Sequence, residues 1–142
     1  AQFEPMHVSD CSQPVQARLL RSYESGHTHV AQIDAVVHRL GIQAAPVLLD
    51  SQAKYAILAA GAGEAIVRLL SPTQPDYREK IWDQAAGALI IEEAGGTITD
   101  LAGKPFDFRA GRLLSGNRGV LATNGRLHPV FLQALGEVGA VD

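Results

Sequence analysis

The stretch Glu79 to Leu101, EKIWDQAAGALIIEEAGGTITDL, holds a complete helix-to-strand unit, and the fold is read outward from it. Trp82 to Ala94 reads as a helix rich in small residues, with Asp83 in the first turn, where an acid is favourable as a cap and as a partner for the helix dipole. Gly95-Gly96 ends it, because glycine enters the left-handed conformation without strain. TITDL then reads as a strand.

Downstream, GKPFDF reads as a turn and return and GVLATN as another strand. RLHPVFLQALGEV closes as a helix with Leu127, Phe131, Leu135 and Val138 on one side, and Pro129 is tolerated in its first turn. Upstream, the loop SPTQPDYREK follows a strand in EAIVRLL, and SQAKYAILAA is a helix running to Gly61 with Asp50 and Ser51 as N-cap candidates. APVLLD reads as a strand buried on both faces. HTHVAQIDAVVHRLG places Val30, Ile33, Val37 and Leu40 at helical spacing before Gly41, and RLLRSYES reads as a short strand ending near Glu24. The first 17 residues read as an irregular entry strand with loops. Strands alternating with helices predict an α/β layered domain, with a largely parallel sheet flanked by helices. Ligands in such folds collect at strand ends and helix starts.

With 142 residues, of which 46% are apolar, the chain can bury one core. A net charge of -3 argues against a broad nucleic-acid-binding face, so any anion site is local. The single cysteine, Cys11, excludes an internal disulfide framework and fits a reducing, cytoplasmic setting. Asp50, Lys54, Glu64 and Arg68 interrupt the most apolar runs, so no membrane span is predicted, and the amino end has no signal-peptide pattern.

Four places carry candidate chemistry. Ser51 and Lys54, in DSQAKY, stand three residues apart at a strand-to-helix junction and could share one anion; equally, they are a capping serine and a solvated lysine. Arg68 interrupts an apolar strand and needs an anion or a partner such as Glu64, unless it lies on an exposed edge. His27 and His29 form an HxH pair, more often a helix-start feature than a metal site. Asp83 is a cap by one reading and a ligand for a hard cation such as Mg2+ by another.

WDQAAGALIIEEAGG resembles the carboxy-terminal signature of the inositol monophosphatase superfamily. More narrowly, ESGHTHVAQIDAV, LDSQAKYAILAAG and EKIWDQAAG are similar to the 3'(2'),5'-bisphosphate nucleotidases. These are magnesium-dependent enzymes, sensitive to lithium and sodium, that remove the 3'-phosphate from adenosine 3',5'-bisphosphate (PAP) and its sulfated form, PAPS. The resemblance implies that residues 1–142 form the carboxy-terminal half of an αβαβα fold. It implies that Asp83 is a catalytic metal ligand, and that His27, Ser51, Lys54 and Arg68 lie at the bound nucleotide. Two or three Mg2+ ions are implied for the complete enzyme. The superfamily's other ligands, in a glutamate-rich segment and a D-P-[LIV]-D-G-[ST] motif, do not occur in these 142 residues, so the resemblance also implies an amino-terminal domain as partner. Two rivals share these features: an inositol polyphosphate 1-phosphatase-like enzyme, and a non-catalytic nucleotide-binding domain.

Overall fold

The computed structural model describes residues 2–23 and 29–141. In chain order the elements are β1 (Leu20–Arg21), α1 (Val30–Leu40), β2 (Val47–Leu48), α2 (Ala53–Ala59), β3 (Ala65–Arg68), α3 (Ile81–Glu93), β4 (Thr97–Thr99), β5 (Val120–Thr123) and α4 (His128–Glu137). Each strand and helix read from the sequence has a counterpart, except that residues 104–107 form no return strand and residues 2–17 hold a short 3-10 helix, Pro14–Gln16, in place of an entry strand. Helix ends follow the sequence chemistry. His29 caps α1, its Nδ1 accepting from Gln32 N–H at 3.3 Å, and Gly41 leaves the helix at φ 68°.

The sheet is where expectation and structure part. β5 lies between β3 and β4 and pairs antiparallel with both. β1 pairs parallel with β2, and Leu19 bridges parallel to Ala65 at the start of β3. Four of the five strands therefore share one direction, as expected, yet every pairing within the three-stranded sheet is antiparallel. The reason is the connection. Helix α3 carries the chain from β3 to β4 as a right-direction crossover would, whereas the chain from β4 to β5 contains no helix and returns the opposite way. β2 also departs from its expectation of double-sided burial: among the described residues it pairs only with β1, and Leu48 is 43% exposed.

Helices cover both faces of the sheet. On one side α1 and α4 supply Ile33, Val36, Phe131 and Leu135, which meet Val67 and Leu121. On the other side α2 and α3 supply Tyr55, Leu58, Ala88 and Ile91, which meet Ile66, Val120 and Ala122. The two-residue period of a strand makes Arg68 share the face of Ile66, so it points to the α2/α3 side. Among the described residues no helix is long and apolar enough to cross a membrane.

One buried polar residue gives the fold a pH dependence. His128 is 6% exposed, with Nε2 2.9 Å from Thr99 Oγ1 and Nδ1 3.0 Å from Thr123 Oγ1. The Thr99 hydroxyl spends its proton on the Asp100 carbonyl at 2.8 Å, so it accepts from Nε2–H, and Nδ1 accepts from Thr123. The ring is thus held neutral, and burial lowers its pKa from 6.5 to about 4. The unfolded chain takes up this proton near pH 6.5 and the folded chain only near 4. Stability is therefore complete above pH 6.5 and declines towards pH 4, by at most about 3 kcal/mol. Urea unfolding across that range should show the slope, and His128→Asn should flatten it.

Candidate functional site

The carboxyl end of β3, the first turn of α3 and the chain leading into α2 enclose a cavity of about 720 Å3. Ser51, Lys54, Arg68 and Asp83 all line it. Residues spread over more than thirty positions of sequence thus meet because β3 ends, α2 begins and α3 begins on the same side of the sheet. His27 lies outside the described residues. His29 has become the N-cap of α1.

Each side chain has a distinct setting. Asp83 sits in the first turn of α3, half-buried, and among the described residues its carboxylate makes no hydrogen bond or ion pair. Its backbone carbonyl instead accepts from the Gln52 side-chain amide, which fastens the start of α3 to the entry of α2. Trp82, beside it, is 55% exposed and lies between Lys80 and Arg112, with their cationic centres 5.8 and 5.5 Å from its ring. Trp82 and Leu89 leave one apolar side of α3 exposed in this chain, while Gly87, Ala88 and Ile91 face the core.

Lys54 is half-buried and donates from Nζ to Ser22 Oγ at 2.9 Å. Burial lowers its pKa, Asp50 opposes that shift, and the nearby Arg68 charge adds to it. Two cations held close together, with one partly desolvated, make a place that gains from an anion. Asp50 is occupied elsewhere, its Oδ1 accepting from Tyr23 N–H at 3.1 Å. Ser51 is not the helix cap. Helix α2 starts two residues later, with Gln52 at the capping position, and Ser51 Oγ accepts from Ala53 N–H at 3.3 Å. Ser51 adopts φ 68°, the single positive φ outside glycine among the described residues. Such a conformation costs on the order of 1 kcal/mol and is found where a loop is shaped for binding. With only seven residues, α2 offers a weaker dipole than the sequence reading assumed.

Arg68 does not have Glu64, the partner weighed from sequence, because Glu64 is taken by Arg18 at 2.8 Å; β3 does lie at the edge of the three-stranded sheet, and the Arg68 side chain is 38% exposed. Arg68 Nε instead lies 2.8 Å from Glu79 Oε1, and its guanidinium stands 5.8 Å from the Tyr77 ring centroid. Glu79 is 3% exposed, and Gln84 Nε2 donates to its Oε2 at 2.9 Å. The Gln84 side-chain amide oxygen in turn accepts from the Tyr55 hydroxyl. Sequence reading passed over Glu79, Gln84 and Tyr55. The available signal was an acid four residues before Asp83 followed by a glutamine in the same helical turn, which also reads as an ordinary solvated face.

A magnesium ion fits Asp83 in donor type, since a free carboxylate oxygen suits a hard cation. One carboxylate is not a full site. Among the described residues, no three His, Cys, Asp or Glu side chains gather closely enough to hold a metal.

Relatives with curated descriptions include a 3'(2'),5'-bisphosphate nucleotidase of Oryza sativa, 44% identical over 90% of this chain. Another, of the same description, comes from Schizosaccharomyces pombe and is 39% identical over 96% of the chain. The chain spans only 36% and 38% of the length of these two relatives. Among solved structures, a Thermotoga maritima IMPase aligns over 96% of this chain and 46% of its own, with TM-score 0.68 and 22% identity. An inositol monophosphatase from Anabaena aligns over 96% of this chain and 50% of its own, with TM-score 0.68 and 23% identity. At that identity the likeness speaks to fold alone. The inositol monophosphatase family is matched over residues 2–140, and the chain belongs to that family.

Proposed function

We propose that this chain supplies one metal ligand and much of the nucleotide site of a magnesium-dependent phosphomonoester hydrolase that removes the 3'-phosphate of PAP, and of PAPS as a second substrate. The observation that carries this reading is the convergence of Ser51, Lys54 and Arg68 on one cavity with the Asp83 carboxylate, which is unpartnered among the described residues. The relatives' description as bisphosphate nucleotidases supports the choice of nucleotide over inositol phosphate.

Each residue has a role set by its chemistry. Lys54 and the Arg68 guanidinium neutralise phosphate oxygens, arginine through a planar fork and lysine as a point charge. Ser51, at its positive φ, offers a hydroxyl on the cavity wall. Asp83 holds the metal, which when bound polarises the phosphate and lowers the pKa of an attacking water. Further carboxylates, which the described residues do not provide as a cluster, complete that site in the intact protein. Two or three Mg2+ ions are proposed there.

In the intact protein, Lys54→Ala and Arg68→Ala are each expected to raise KM for PAP by about tenfold or more, the loss of one charged contact, with kcat changed less. Comparing PAP with inositol 1,4-bisphosphate and inositol 1-phosphate tests the substrate class: faster turnover of either inositol phosphate would overturn the nucleotide reading. Binding of PAP without any turnover by the intact protein would make it a nucleotide-binding domain instead. Residues 1–142 alone are expected to release no phosphate from PAP with magnesium, because one carboxylate cannot hold the catalytic ion. Phosphate release by this purified chain would contradict that.

A further inference from the structure

We infer that Glu79 is a positioning residue of the nucleotide site, holding the Arg68 guanidinium on the wall of the 720 Å3 cavity while Gln84 and Tyr55 hold Glu79 in turn. The inference rests on the reading of Arg68 as a phosphate contact.

Packing alone does not fix Arg68. Its side chain is 38% exposed and forms part of the wall between two cavities. The second, of about 310 Å3, lies against Leu69, Ser71, Gln74, Tyr77 and Glu79, and is large enough to accept a guanidinium. Two residues that line this second cavity and not the first hold Arg68 at the boundary between them. Tyr77 offers a ring face at 5.8 Å, and Glu79 offers a negative charge at 2.8 Å from Nε. Contact at Nε leaves the two terminal nitrogens, which among the described residues make no hydrogen bond, for a ligand.

Glu79 is costly as a purely structural residue. It is a carboxylate 3% exposed, and among the described residues Oε1 makes no hydrogen bond of good geometry despite its closeness to Arg68 Nε, so the pairing is chiefly by charge. A buried pair of this kind rarely stabilises a fold more than apolar residues of the same volume would. Its chain of contacts has a direction, however. Tyr55 comes from α2, Gln84 is the residue after Asp83 in α3, and Arg68 ends β3. One buried carboxylate thereby ties the arginine to the same helical turn that presents Asp83.

The test is a double-mutant cycle in the intact protein, reading PAP binding without magnesium, KM and kcat with magnesium, and the melting temperature. Glu79→Gln keeps the shape and the bond to Gln84 while removing the charge. It is expected to weaken PAP binding about tenfold when Arg68 is present and less than about twofold in Arg68→Ala, with kcat changed less than about threefold. Equal weakening in both backgrounds, or none in either, overturns the positioning role. A structural role would lower the melting temperature equally in both backgrounds and leave binding by the folded protein unchanged. If Arg68→Ala itself leaves PAP binding intact, the phosphate-contact reading fails and this inference falls with it, an outcome distinct from failure at Glu79. Should Glu79→Gln not fold, Gln84→Met removes the donor to Glu79 without changing charge. It is expected to weaken binding about threefold with Arg68 present and not in Arg68→Ala, and additivity there overturns the role.

Discussion

Asp83→Asn in the intact protein is expected to lower kcat for PAP by on the order of 100-fold or more, with the fold left in place. Outer residues that merely orient a metal ligand already change activity by about 10–100-fold when lost, and a residue that touches the ion is worth at least that. The fold should survive because little of α3 depends on the charge. Asp83 occupies the first turn, where a dipole contribution of about 0.3–1 kcal/mol is all the negative charge supplies. The bond that fastens this turn to α2 goes to the Asp83 backbone carbonyl, which asparagine retains.

A second readout separates loss of metal from loss of chemistry. Magnesium at 100 times its dissociation constant stabilises a protein that binds it only when folded by about 2.7 kcal/mol, visible as a rise in melting temperature. The wild-type protein should show that rise and Asp83→Asn should lose most of it. Near-normal turnover with an unchanged magnesium response would return Asp83 to the role of a helix cap.

Sequence periodicity captured the fold where local chemistry decides it. Gly41 and Gly95, at φ 68° and 89°, ended helices where expected, and Leu127, Phe131 and Leu135 form the buried side of α4. It missed what depends on distant pairing. Nothing within GVLATN says that β5 inserts between β3 and β4, because strand order is set by how the intervening chain packs. Arg68 was legible because a charge inside an apolar strand needs a reason, Lys54 because it stands three residues after Ser51 at a helix start, and Asp83 because it opens a helix. Glu79 was not, since EK before a helix resembles any solvated pair, and only the end of β3 arriving beside it makes it buried.

The Ala85-Ala86-Gly87 run is where sequence and site meet most closely, and only its glycine does the close packing. Ala86 is exposed, whereas a Cβ on Gly87 would stand 2.6 Å from Tyr55 Cγ, 2.8 Å from Cδ2 and 3.0 Å from Gln52 Oε1. The tyrosine cannot simply turn aside: it is 6% exposed, and its hydroxyl is engaged by Gln84. Gly87→Ala should gain about 1 kcal/mol in helix propensity and lose about 1–3 kcal/mol to overpacking, so a net loss near 1 kcal/mol is expected. Gly87→Val adds two more carbons at the same contact and loses most of the propensity gain, giving an expected loss of about 3 kcal/mol in urea unfolding. Because Gln52 grips the Asp83 carbonyl and Tyr55 grips Gln84, pushing α3 away from α2 should also lower kcat for PAP in the folded fraction. If Gly87→Ala instead stabilised the protein with kcat unchanged, α3 would not depend on this contact for its place, and the small residues after Asp83 would be helix formers and nothing more.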